Sequence, residues 1–427
     1  MPTELHVHVV QDPSRGFTTL PDRLAHGPDV TVCLDSLGED RIRARLYGPA
    51  VPSLHGTEHR VDLAVRPADV RAAAARLCRQ WKEHFVGYQP VGDDEGPQAP
   101  YASLVDLRTR PTEELQEIVD ELAMCGSEFL HGTLLGGTNA RVERFRDYLV
   151  EALSGREGLR VRFDSDLHVP WPMVCPEPYD VLRNLESAED PFRFERFLGH
   201  RHQIEQTGGA YPWLVGLREA PEEPAVSLNH DTRVDRHGRT RAAEAAAVLR
   251  KNTRFVERTT HRELVRALEQ ADLNEQLMYF WCHGHFVDNG SQPASLALRL
   301  TDNKTIDAQT VRDRRRRFGD ESPFQPFVVL NACHAGVPEG GGDHKFLSLA
   351  LIDAGARGVL GPQIEMPQAF AAEYALEFLG RYLNGTETAG CIAHAVARHF
   401  ADVLHNPLGF AYALHHGMDT RLERAAV

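Results

Sequence analysis

Two apolar runs, each delivering a reactive side chain, limit what this chain can fold into more than any other feature. Tyr279-Phe280-Trp281-Cys282 leads into His283-Gly284-His285, and Phe327-Val328-Val329-Leu330-Asn331-Ala332 leads into Cys333-His334-Ala335-Gly336. A strand buried on both faces reads as a continuous hydrophobic run. In an open α/β sheet, ligands gather at the carboxyl ends of such strands. Two neighbouring parallel strands would therefore set His283 and Cys333 side by side on one rim. A thiol nucleophile and its proton-transfer partner need that arrangement.

The surrounding pattern supports a sheet of this kind. From Ala225 onward, short apolar runs alternate with helical periodicity: strands at 225–229, 254–257, 277–282, 327–332, 358–361 and 410–414, and helices at 240–251, 305–318, 344–354, 367–383 and 388–404. Thr260-His261-Arg262-Glu263 is a capping box that opens a further helix. Strands alternating with helices imply a parallel-dominated sheet flanked by helices, an α/β class. Upstream, Leu5–Val10, Val30–Leu34 and Arg41–Tyr47 alternate in a β manner, and 68–85 is helical. Residues 91–100 form a Gly/Pro/acidic stretch. Thr112 is placed to cap a helix over 113–123, with another helix at 141–153 and a strand at 159–163. Pro/Glu-rich residues 220–224 close this part. The chain thus divides into 1–100, a small β-rich segment with one helix, 101–224, and 225–427.

The chemistry follows from the residue types. A cysteine attacks as its thiolate, while an ordinary thiol is mostly protonated at neutral pH. The residues after Cys333, small apart from His334, and Gly284 after His283 let a substrate backbone approach. The amides of Gly284 and Cys333 are placed to support a developing oxyanion, and His283 to protonate a leaving amine.

An apolar strand ending in His-Gly and another ending in Ala-Cys resemble the caspase-like (clan CD) cysteine peptidases, and within them the CHAT family. Leu349–Leu360 resembles the helix–turn–strand that follows the family's nucleophile. Asp166-Leu167-His168-Val169-Pro170-Trp171 resembles a turn of its N-terminal half, and Asn406–Ala411 its closing strand. The resemblance implies His283 as catalytic histidine, Cys333 as nucleophile, and cleavage of a protein substrate through an acyl-enzyme without a cofactor. It also implies a caspase-like fold whose catalytic domain, 225–427, follows a degenerate caspase-like half at 101–224. Such proteins often serve in bacterial defence, where a sensor partner activates the peptidase and a gasdermin-like or other effector is cut. His334 stands where the family usually has a Glu, and Gln363-Ile364-Glu365 where it tends to have Trp and Asp.

Further residues are candidates for binding substrate: His285 as a wall of the cleft, Asp231 and Arg233 at the end of the strand beginning at Ala225, His334, and Glu365. The acids favour Arg or Lys in a substrate and Arg233 favours an acid; a basic or uncharged preference is the expectation. Cys282, His283, His285, Cys333 and His334 are also zinc ligands by type, so a zinc protein is a rival reading, though no CxxC or HxxxH accompanies them. A caspase-like scaffold without turnover is another. The run Arg312-Asp313-Arg314-Arg315-Arg316-Arg317 reads as a solvated helix face. The net charge of −14 opposes a general nucleic-acid binder. Met1–His8 lacks the features of a signal peptide, and no apolar run approaches the ~18 residues of a membrane span. Seven scattered cysteines without a CxxC pair suit free thiols in a reducing, cytoplasmic setting.

Overall fold

The computed structural model describes residues 27–52, 58–90, 99–178, 182, 193–208, 221–287, 295–318, 322–333 and 345–425. The strand expected at Leu5–Val10 lies outside them, as does most of the stretch 91–100. The chain opens with β1 (Val30–Leu37), β2 (Arg41–Tyr47) and β3 (His59–Leu63), then α1 (Pro67–Trp81), α2 (Thr112–Ser127) and α3 (Ala140–Ser154). Next come β4 (Arg160–Ser165), the single turn α4 (Leu198–Arg201) and β5 (Gln203–Thr207). The later half runs β6 (Ala225–His230), α5 (Ala242–Leu249), β7 (Arg254–Arg258), α6 (His261–Leu268), β8 (Leu277–Val287), β9 (Ser295–Arg299) and β10 (Thr305–Ile306). It ends with α7 (Ala308–Arg315), β11 (Phe327–Cys333), α8 (Lys345–Asp353), β12 (Gly358–Pro362), α9 (Gln368–Tyr382), α10 (Ala389–Leu404) and β13 (Tyr412–His415).

The strands join one sheet in the order β10-β9-β8-β11-β12-β13-β5-β4-β1-β2-β3, with β6 on β8 and β7 on β6. Strands β7, β6, β8, β11 and β12 run parallel to their neighbours among these five. β13 lies antiparallel to β12 and parallel to β5, which carries the sheet into the earlier half. The alternation of side chains along a strand sorts β8 and β11 between two cores. Leu277, Tyr279, Trp281, Phe327 and Val329 face the core shared with α1, α2, α3, α5, α9 and α10. Met278, Phe280, Cys282, Val328, Leu330 and Ala332 face α6, α7 and α8. Strands with both faces buried explain why these two segments are apolar without interruption.

Local signals set several boundaries. The capping box is present: Thr260 Oγ1 accepts from the Glu263 amide, and the Glu263 carboxylate accepts from the Thr260 amide. Gly355, at φ +113, ends the turn after α8 where an added Cβ would lie 2.5 Å from the Phe324 carbonyl oxygen. Other expectations need correction. Thr112 is the first residue of α2 rather than its cap, and that helix continues to Ser127. The helix expected over 305–318 is the short strand β10 followed by α7. β3, β5 and β9 were not anticipated. β8 does not stop at Cys282 but continues through His283 to Val287, where it pairs with β9.

Several histidines are partly or fully buried, and burial lowers their pKa values. His202 is 1% exposed, and its Nε2 lies 2.7 Å from the Leu153 carbonyl oxygen. Burial lowers its pKa from 6.5 to about 4, against a smaller rise from that hydrogen bond. His131, His394 and His416 are lowered by burial as well. A ring that titrates near 6.5 when unfolded and lower when folded leaves the native state intact above 6.5 and weakens it as the pH falls toward 4. The fall at His202 corresponds to about 3 kcal/mol. Urea midpoints are therefore expected to drop between pH 7 and 4.5, and His202→Gln to flatten that dependence. Parallel curves for the two proteins would refute the assignment.

Candidate active site

The site is assembled by strand register. β8 and β11 are parallel neighbours from Phe327↔Leu277 to Cys333↔His283, the last pair of the ladder. Adjacent strands lie about 4.8 Å apart, and residues in register share a face. The backbone therefore sets Cys333 beside His283, on the side that continues from Tyr279 and Trp281. His283 is half-buried. Gly284 is the register partner of Leu298, and His285 of Ala297. His334 and the glycines 340–342 lie outside the described residues.

One pleat below this pair is a buried polar platform. Asn331 is 1% exposed and is the register partner of Trp281. Its Nδ2 donates to the Ala371 carbonyl at 2.6 Å and to the Tyr279 hydroxyl at 3.3 Å. Its Oδ1 accepts from the Tyr412 hydroxyl at 2.7 Å. One amide thus joins β8, β11, α9 and β13. A network with every member satisfied is rigid in a low-dielectric interior, and this one fixes the strands that carry His283 and Cys333.

Asp231 follows β6. Its amide donates to the Trp281 carbonyl at 3.0 Å, two residues before His283, and its side chain is fully buried. Burial pushes its carboxyl up, but hydrogen bonds and charge from Arg233 and a contribution from His283 hold it below the ordinary value. Arg233 forks this carboxylate, Nε at 2.8 Å and Nη2 at 2.7 Å. Asp231 and Arg233 therefore stand at the same rim as His283, already paired with each other. Glu365 follows β12 and is bound by Lys82, just past α1, at 2.5 Å. Both acids expected to line a pocket carry a cation of the chain itself.

Other candidate chemistry falls away from this rim. Cys282 is fully buried in the core under α6–α8, on the opposite face from His283, so the two cannot ligate one ion. Among the described residues, no group of three or more His, Cys, Asp and Glu could hold a metal ion. The arginines of α7 are partnered within the chain, Arg312 and Arg314 on the exposed face and Arg315 buried. Arg314 meets Glu269 at 2.7 Å. Arg315 is 4% exposed, donates to the carbonyls of Leu268 and Gln270, and stacks on Phe318 and Phe324. Among the described residues, no helix is long and apolar enough to cross a membrane.

One residue at the rim was not anticipated. Arg299 of β9 is the register partner of His283. The alternation in Ser295-Leu296-Ala297-Leu298-Arg299 was the signal that would have revealed this strand.

Residues 217–407 match the family model of the CHAT domain. A probable protease of Vitiosangium sp. (strain GDMCC 1.1324) is 28% identical over 136 residues, 32% of this chain and 17% of that protein's length. Two crystal structures of the Saccharomyces cerevisiae separase–securin complex are similar at a TM-score of 0.43 and 10% identity, covering 91% of this chain and 30% of theirs.

Proposed function

We propose that this chain, whose residues 217–407 match the family model of the CHAT domain, is a caspase-like cysteine endopeptidase with Cys333 as nucleophile and His283 as its proton-transfer partner. The observation that carries the reading is the register pair Cys333↔His283 at the end of two parallel strands. The name of the matched relative, a probable protease, is of the same kind.

The residues divide the work as follows. The Cys333 thiolate attacks the scissile carbonyl carbon, forming a C–S bond and placing the electron pair on the carbonyl oxygen. The amides of Gly284 and Cys333 support that oxyanion. The C–N bond breaks as imidazolium at His283 delivers its proton to the departing nitrogen. Water, losing a proton to His283, then attacks the thioester. The acid product leaves, and the thiolate returns. Asp231 stabilises the imidazolium electrostatically, and the Asn331 platform holds both strands in register. His285 and His334 are the further candidates for binding the substrate. The enzyme acts on a cytoplasmic protein, such as a gasdermin-like effector, after a sensor partner switches it on in a bacterial defence system.

The test is mapping of new protein N-termini in cells producing the wild type or Cys333→Ala. A discrete set of cuts is expected with the wild type, absent with the variant. The same cuts in both samples would sink the proposal.

A further inference from the structure

Among the described residues, the charge at the candidate rim is not balanced. Thr305, Arg299, His283 and Cys333 occupy one continuous row across β10, β9, β8 and β11. Leu298 and Leu300, both fully buried, face the core under α7 and α8. Alternation therefore puts Arg299 on the face of His283. Arg299 is half-buried, and its Nε is shut off from solvent with no hydrogen-bond partner among the described residues. Acids at the ends of β6, β7 and β12 are engaged elsewhere. Asp231 is forked by Arg233, Glu365 is held by Lys82, and Glu257 is shared by His230 and Arg250. The two acids on which a basic preference would depend are neutralised within the chain. Among the described residues, the Arg299 guanidinium beside His283 has no acidic partner.

We propose that Arg299 is a specificity-determining residue that receives an acidic side chain of the protein substrate close to the cleaved bond. A planar guanidinium matches a carboxylate in a two-pronged fork, which a substrate amide cannot reproduce. Two strand spacings separate Arg299 from Cys333, about 10 Å, and an extended peptide advances about 3.3 Å per residue. The acid therefore lies within about three residues of the bond. This inference depends on the peptidase reading and extends it to a substrate class.

Peptidyl acyloxymethyl ketones test it, in matched pairs with Asp or Asn, and Glu or Gln, at each of the three positions nearest the ketone. Mass spectrometry follows the alkylation rate of Cys333. In the wild type the acidic probe of at least one pair is expected to react on the order of 10–100 times faster than its amide isostere. Arg299→Gln should bring the ratio near one, and Arg299→Lys should keep part of it. A wild-type ratio near one at every position, or a ratio unchanged in Arg299→Gln, overturns the inference and leaves the peptidase standing. It is also overturned if Arg299→Gln slows both probes and iodoacetamide by one common factor, because the residue would then act on the thiol. A folded wild type whose Cys333 reacts with iodoacetamide but with no peptidyl probe removes the peptidase reading, and this inference with it.

Discussion

Replacing His283 with alanine is expected to lower kcat/KM for peptides spanning a mapped cut by about 10²–10⁴-fold, the range for loss of a positioned acid–base group. Alkylation of Cys333 by iodoacetamide should fall far less. Alkylation needs only the thiolate, whereas amide hydrolysis also needs a proton delivered to the leaving nitrogen. A variant that simply misfolded would lose both. The measurement is clean because the Cys333 adduct is counted directly and burial disfavours the thiolate at five of the other six cysteines. Burial pushes Cys78 up to about 12 and Cys125 up to about 11, and raises Cys33, Cys175 and Cys391 as well. The comparison pairs turnover with mass-spectrometric counting of the Cys333 adduct. Equal losses in both would assign His283 a structural role.

How much of this site was legible depended on whether its signal was local. The apolar runs at 277–282 and 327–332 announce strands buried on both faces, and those strands are parallel neighbours in the expected register. The capping box of α6 and the glycine after α8 are similarly short-range and are found where they were read. The extension of β8 past His283 was not legible because His283-Gly284-His285 interrupts the apolar run. That obscured β9, and with β9 went Arg299. Electrostatic context was the least accessible. Asp231 and Arg233 are close in sequence, so their pairing was within reach. Lys82 and Glu365 are distant in sequence, and only packing of α1 against the later half brings them together. Candidate residues can thus be named from composition and spacing, while which of their charges stay available is a property of the fold.

The largest single effect on stability is expected at Glu275, which is 4% exposed just ahead of β8. Its carboxylate accepts from both Nη atoms of Arg258, at 2.5 and 3.3 Å, and from the Ser227 hydroxyl at 2.5 Å. Asn229 closes the network, donating to Ser227 at 3.1 Å and accepting from Arg258 at 3.4 Å. The group ties β6, β7 and the start of β8 together, and so anchors the strand that carries His283. Glu275→Ala leaves the Arg258 guanidinium buried without its counter-charge, which should cost about 3–5 kcal/mol. Replacing both partners, Glu275→Leu with Arg258→Met, removes the two desolvation costs together, and a hydrophobic pair of similar volume is often neutral or better. Urea unfolding should therefore rank the proteins in the order wild type, double variant, single variant, with the double much nearer the wild type. A single variant within about 1 kcal/mol of wild type would mean that water reaches Arg258. A double variant worse than the single would show that the charges contribute net stability beyond their mutual compensation.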